Sequence, residues 1–235
     1  MKKIIKNLIP PSLREKLQIL KGKKIYTEKF DKTKSIFVHI PKCAGTSLGK
    51  AIYNDAKIGH ATTDDYNYTN NSKFIQYYKF TIIRDPIERC YSAYNFIKSD
   101  KCTKAGKLFF NQHVAKFKNF DEFVKKGLRK IHVQNFVLFK PQVDFFSHKG
   151  VIKVNQIFDL NNLQQDYLFL KRKFKIKSKL KVLNHTNNIK KKRIQTSNKN
   201  LIYKIYKDDY LIFKSLKKKN YLLDFYDLKI KDFKG

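Results

Sequence analysis

Residues 35 to 54 constrain the fold more than any other stretch. The apolar, β-branched run Ile36 to Ile40 ends in a polar loop, Pro41 to Ser47, and the pattern predicts a helix from about Thr46 to Asn54. A strand, a loop of phosphate size and a helix start thus follow one another directly. N–H groups at a helix start have no intrahelical partner, and the helix dipole adds positive charge there. Gly45 permits close backbone approach, Lys42 brings a full charge, and Thr46 and Ser47 bring hydroxyl donors. The unit suits a phosphate or a sulfate. It is not a Walker A loop, in which the lysine follows the second glycine; here Lys42 precedes Gly45, and no leading glycine is spaced before it. The plain alternative is a strand-to-helix turn with a solvated lysine.

A second unit of the same kind spans residues 79 to 97. Phe80 to Ile83 reads as a buried strand, and Asp85 as the cap of a helix whose first residue is Pro86. Ile87, Tyr91, Tyr94 and Ile97 recur at helical spacing and form its core stripe. Arg89 and Ser92 fall about 160° off that stripe at 100° per residue. Arg84 stands at the strand's C-terminal end, where open α/β sheets collect ligands. Its alternative fate is an ion pair with Asp85 or Glu88.

Together the two units carry a resemblance. Residues 37 to 47, Phe-Val-His-Ile-Pro-Lys-Cys-Ala-Gly-Thr-Ser, resemble the 5′-phosphosulfate loop of sulfotransferases that use PAPS (3′-phosphoadenosine 5′-phosphosulfate), in the carbohydrate branch of that family. Residues 84 to 92 are similar to its 3′-phosphate motif, Arg-Asp-Pro-x-x-Arg-x-x-Ser. The resemblance implies that Lys42, Cys43, Ala44, Gly45, Thr46 and Ser47 hold the 5′-phosphate, while Arg84 and Ser92 hold the 3′-phosphate. The chemistry agrees, since a guanidinium fork and a hydroxyl complete a phosphate shell. Leu138 to Phe146 resembles a Pro-Gln-x-x-Phe segment of the family, and Asp159 to Phe169 and Leu201 to Phe213 resemble two later helices, the second of the form Ile-Tyr-x-x-Asp-Tyr-x-x-Phe. A glutamate common near residue 160 in relatives is missing from Asp159-Leu160-Asn161-Asn162.

The implied fold is α/β, a P-loop-like three-layer α/β/α arrangement around a central parallel sheet. The implied division is an N-terminal basic extension (1–34), a sulfotransferase domain (35–215) and a C-terminal tail packing on or extending it (216–235). The implied reaction is direct in-line transfer of a sulfuryl group from PAPS to a hydroxyl of a carbohydrate or glycan. Adenosine 3′,5′-bisphosphate is the product, and no metal takes part. Lys42 is the expected catalytic cation at the leaving phosphate. His60, in a Gly-His-Ala-Thr stretch expected just after a second short strand, is the first candidate for general base. His113, Asp64 and Asp65 stay open for that role; His39 reads as a packing residue, and His185 as part of a late loop. A P-loop kinase or NTPase, and a non-catalytic basic protein that binds polyanions or membranes, are the rival classes.

Composition sets the outer bounds. A chain of 235 residues with 42% hydrophobic content is large enough for one packed α/β domain. The three cysteines and six histidines show no metal spacing, and free thiols in a reducing compartment are expected. No stretch approaches the ~20 apolar residues of a membrane span, and no signal peptide is evident. The expected location is cytoplasmic, with peripheral contact at the inner membrane face. The net charge of +33 accompanies enrichment in lysine, asparagine and isoleucine, which points to an AT-biased genome. Residues 171 to 193 nonetheless carry eleven basic residues and no acid. That density suits an acidic or lipid-linked glycan or an anionic membrane, and no motif for specific nucleic-acid recognition is present. Residues 12 to 23 have the spacing of a weak basic amphipathic helix.

Overall fold

The computed structural model describes residues 25–55, 58–181, 194–216 and 224–233. The expected helix at 12–23, most of the late loop containing His185, and the second half of the basic run 171–193 lie outside the described residues.

Three short runs with no outward polar face form the sheet: β1 (Ser35–Val38), β2 (Tyr78–Ile83) and β5 (Gln156–Asp159). They are parallel, in the order β1-β2-β5, with Phe37 opposite Phe80 and Ile83 opposite Asp159. Near-continuous apolar strands of this kind need cover on both faces, which helices in the crossovers supply. The Phe37 and Phe80 rings stack at 5.2 Å and Phe158 meets Phe80 edge-on at 6.2 Å. Each buried ring contributes about 1.5–3 kcal/mol.

Between β1 and β2 lie α2 (Gly45–Tyr53), α3 (Thr63–Thr69) and α4 (Asn71–Gln76), and α1 (Glu28–Thr33) precedes β1. Although α1 is N-terminal to the boundary expected at residue 35, its Phe30 is buried in the core of the sheet. Beyond β2 come α5 (Pro86–Lys98), α6 (Lys104–His113), a helical stretch from Phe120 that widens to a π turn over Phe123–Gly127, and α7 (Val143–Phe146). A hairpin of β3 (Ser147–His148) and β4 (Val151–Ile152) leads to β5. Then follow α8 (Leu163–Lys173), α9 (Thr196–Ile205) and α10 (Lys207–Leu216). Residues 224–233 return to the hairpin, where Phe225, Ile230 and Phe233 join the main core. A second core gathers α5, the stretch 114–139 and α9 around Phe123, Phe139 and Tyr94.

Three expectations change. The helix expected to run from Asp159 starts only at Leu163, because Asp159 ends β5 and its carboxylate accepts the Asn161 N–H, closing a 3-10 turn over Leu160–Asn162. The single helix expected over 201–213 breaks at Tyr206, whose hydroxyl donates to the Phe139 carbonyl at 2.7 Å. Arg89, placed off the core stripe by the helical wheel, is 2% exposed. Its Nε and Nη1 find the carbonyls of Pro41 and Lys140 at 3.1 and 2.9 Å, which offsets part of the cost of burial, while Nη2 is buried with no hydrogen-bond partner among the described residues.

Candidate active site

Both expected anion-binding units stand at the C-terminal ends of neighbouring parallel strands. In the first, Lys42 (φ 70°) and Ala44 (φ 55°) both adopt the left-handed conformation. For residues with a Cβ this costs about 1–2 kcal/mol each. Strain of that kind accumulates where function over-determines the backbone. The turn brings the chain from β1 into α2 with Ala44 at the N-cap and no side chain capping the first turn. N–H groups in the first turn of a helix have no partner within the helix, and a helix start without a side-chain cap suits an anion. Gly45 is required by packing: a Cβ at this position would sit 1.7 Å from His39 Nε2. The Lys42 ammonium lies over the Phe96 ring of α5, 4.0 Å from its centroid. Burial first, then the Arg84 charge, lowers its pKa. The ammonium thus stands between the first loop and α5, the helix of the second unit.

In the second unit the helix start is already filled. Asp85 Oδ1 accepts the N–H groups of Ile87 and Glu88 at 2.9 and 3.1 Å, and Pro86 occupies the first helical position. Anion contacts here must come from side chains. Arg84 does make the alternative pair with Glu88, but only through Nε at 3.4 Å, in a half-exposed i,i+4 geometry worth little. Its Nη edge carries no hydrogen bond among the described residues. Ser92, one face of α5 further on, is half-buried.

Two histidines form a layer beside the first loop. His39, 7% exposed, directs Nδ1–H to the Ile58 carbonyl at 2.9 Å, with its ring against Gly45. Burial, then His60, pushes its pKa down to about 3, so it is neutral. His60 in turn donates Nδ1–H to the His39 carbonyl at 3.0 Å, and the two ring centroids are 4.3 Å apart. That bond fixes the tautomer and leaves Nε2 as the lone-pair nitrogen. Burial is the main cause lowering the His60 pKa, with Arg89 and Lys42 acting the same way against the backbone hydrogen bond. The second short strand expected just before His60 is not found: among the described residues no strand lies between α2 and His60. The contact from His39 to Ile58 is side chain to backbone and replaces a ladder.

The other candidate bases have separate occupations. Asp65 completes a capping box with Thr62 at the start of α3, and Asp64 pairs with His148 at 3.0 Å. His113 sits in an aromatic group with Phe109 and His132 beyond the second core. Cys43 is buried, and burial raises its thiol to about 11, so it is inert as a nucleophile. No group of three or more potential metal ligands occurs among the described residues. No helix among them is long and apolar enough to cross a membrane.

Sequence reasoning passed over three residues that hold the site together: Arg89, Gln142 and Asp209. Gln142, 0% exposed, pairs with the backbone of Arg84 in both directions at 2.9 Å. Asp209 Oδ2 and Oδ1 accept the N–H groups of Gln142 and Val143 at 2.8 and 2.9 Å. The break at Tyr206 places Asp209 in the first turn of α10, from which it reaches them. The signal available was the Pro-Gln and Asp-Tyr pair of segments, read only as a resemblance.

Compared with known proteins, residues 29–215 match the family model described as Sulfotransferase family. No curated protein and no solved structure matches the chain.

Proposed function

We propose a donor, an acceptor class and a set of catalytic groups for this chain, which belongs to the sulfotransferase family and is a sulfuryl-group transferase. The donor is PAPS, and the acceptor is a hydroxyl of a carbohydrate or glycan. The observation that carries the reading is the pairing of an open, strained helix start after β1 with an arginine-bearing turn after β2, side by side on parallel strands. One unit suits a phosphate held by backbone, and the other a phosphate held by side chains. A nucleotide with both 5′- and 3′-phosphates needs both. The carbohydrate acceptor is supported by residues 37 to 47, which follow the loop pattern of the carbohydrate branch throughout.

In this reading Gly45, Thr46 and Ser47 hold the 5′-phosphate at the N-terminus of α2, and Arg84 and Ser92 hold the 3′-phosphate. The acceptor oxygen attacks sulfur while the bond from sulfur to the bridging phosphate oxygen breaks. The acceptor proton passes to His60 Nε2, and the electron pair stays on the departing phosphate, where the Lys42 ammonium meets the growing charge. A preorganised cation at that atom lowers the barrier because its orientation is set before reaction. His39 holds the His60 tautomer through its carbonyl and does not itself exchange protons at neutral pH.

The test is transfer of radiolabelled sulfate from PAPS to a panel of neutral and acidic glycans, with ATP carrying labelled γ-phosphate in parallel. Label on a glycan from PAPS alone supports the reading. Label delivered only from ATP replaces it with a kinase.

A further inference from the structure

Gln142 belongs to neither anion-binding unit, yet its side chain joins them. Arg84 N–H donates to its Oε1, and its Nε2 donates to the Arg84 carbonyl, both at 2.9 Å. The same Oε1 accepts the Cys43 thiol at 3.5 Å. One fully buried amide therefore touches the centre of the first loop and the root of the second turn. Its own backbone is pinned by Asp209, a carboxylate 2% exposed. Arg89 closes the circuit. Its Nε and Nη1 bind Pro41 at the head of the first loop and Lys140, two residues before Gln142, and its charge favours the ionised form of Asp209 against burial. Apart from Arg89 Nη2, which has no hydrogen-bond partner among the described residues, these polar groups are paired, and buried paired networks of this kind resist rearrangement.

We infer that Gln142 is the positioning residue that sets the spacing between the 5′-phosphate and 3′-phosphate sites, holding both in register before the nucleotide arrives. The inference rests on the donor reading above. Its energetic content is preorganisation: a ligand with two phosphates gains its second contact cheaply only if the two sites already match its span. A ligand with one phosphate gains nothing from the match.

That difference separates positioning from general support of the fold. Affinities for adenosine 3′,5′-bisphosphate and adenosine 5′-phosphate are measured by calorimetry in the wild type and in Gln142→Met, which keeps the size and removes the pairing with Arg84. Wild-type preference for the bisphosphate tests the donor reading by itself. Given that preference, Gln142→Met is expected to weaken the bisphosphate about tenfold while the monophosphate changes by less than about threefold. A preference ratio equal to the wild type, or parallel loss for both ligands, overturns the inference. Should the Met variant fail to unfold cooperatively, Gln142→Glu decides. Cys43, Arg84, Arg89 and Asp209 face this position. A protonated glutamic acid there both accepts from and donates to Arg84, whereas the carboxylate cannot donate. The bisphosphate preference of this variant, relative to wild type at each pH, should hold at acid pH and fall at alkaline pH. A ratio that follows the wild type at both overturns the inference.

Discussion

The two strand-to-helix units differ in how each treats its helix start. After β1 the chain enters α2 through Lys42 and Ala44, both left-handed, and no side chain caps the helix. After β2 it enters α5 through Asp85, whose carboxylate takes two N–H groups, and through Pro86, which lacks one. The first unit keeps backbone donors for an anion at a cost in local strain. The second is closed by its own carboxylate, so in the proposed function its anion contacts fall to Arg84 and Ser92. The units differ in chemistry as well. Lys42 and the layer of His39 and His60 stand beside the first, whereas in the proposed function the second supplies groups for binding alone. In the proposed function one topology thus serves both a reacting site and a gripping site, and substitutions should divide accordingly between turnover and affinity.

The largest expected effect is on turnover in the first unit. His60→Ala should lower kcat by on the order of 10²- to 10⁴-fold, the usual range for a general base. Because burial, with help from Arg89 and Lys42, keeps His60 neutral to lower pH, the acid limb of kcat/KM should lie below the ordinary histidine value of about 6.5. A limb above that value, or full turnover in His60→Ala, removes His60 from the reaction. Next, Lys42→Ala should cost on the order of 10²-fold or more in kcat, as loss of one oxyanion donor does. A change confined to KM would make the first unit a gripping site too, and the contrast would fail. Arg84→Ala should weaken adenosine 3′,5′-bisphosphate by about 10- to 100-fold, the loss of one or two charged hydrogen bonds, with adenosine 5′-phosphate little changed in calorimetry. The smallest effects have opposite signs at equivalent positions. Asp85→Ala should destabilise the fold by about 1 kcal/mol through loss of a cap. Ala44→Gly should stabilise it by about 0.5–1 kcal/mol by relieving the left-handed backbone. Thermal unfolding of the two variants checks both signs.

The parts of this arrangement governed by neighbours in sequence were legible in advance. The Asp85-Pro86 start of α5, the apolar runs of β1 and β2 and the Lys42 loop all follow from local rules, and α2 begins within a residue of expectation. What depended on distant partners was not. Nothing in Lys42 or Ala44 announces a positive φ, since residues with a Cβ carry no such signal. Arg89 reads as a solvent-facing residue until the carbonyls of Pro41 and Lys140 are placed beside it. Gln142 meets Arg84 across 58 residues, and Asp209 reaches Gln142 only because α9 and α10 separate at Tyr206. His39 reads correctly as a packing residue, but its close fit to Gly45 and its hold on His60 come from tertiary structure alone.

The central claim is that the two units together bind one nucleotide with two phosphates. Calorimetry of adenosine 3′,5′-bisphosphate against ATP and AMP, with Arg84→Ala alongside, tests it most directly. The account predicts tight binding that requires the 3′-phosphate and collapses in the variant. Equal binding of ATP, or a bisphosphate affinity indifferent to Arg84, would contradict it.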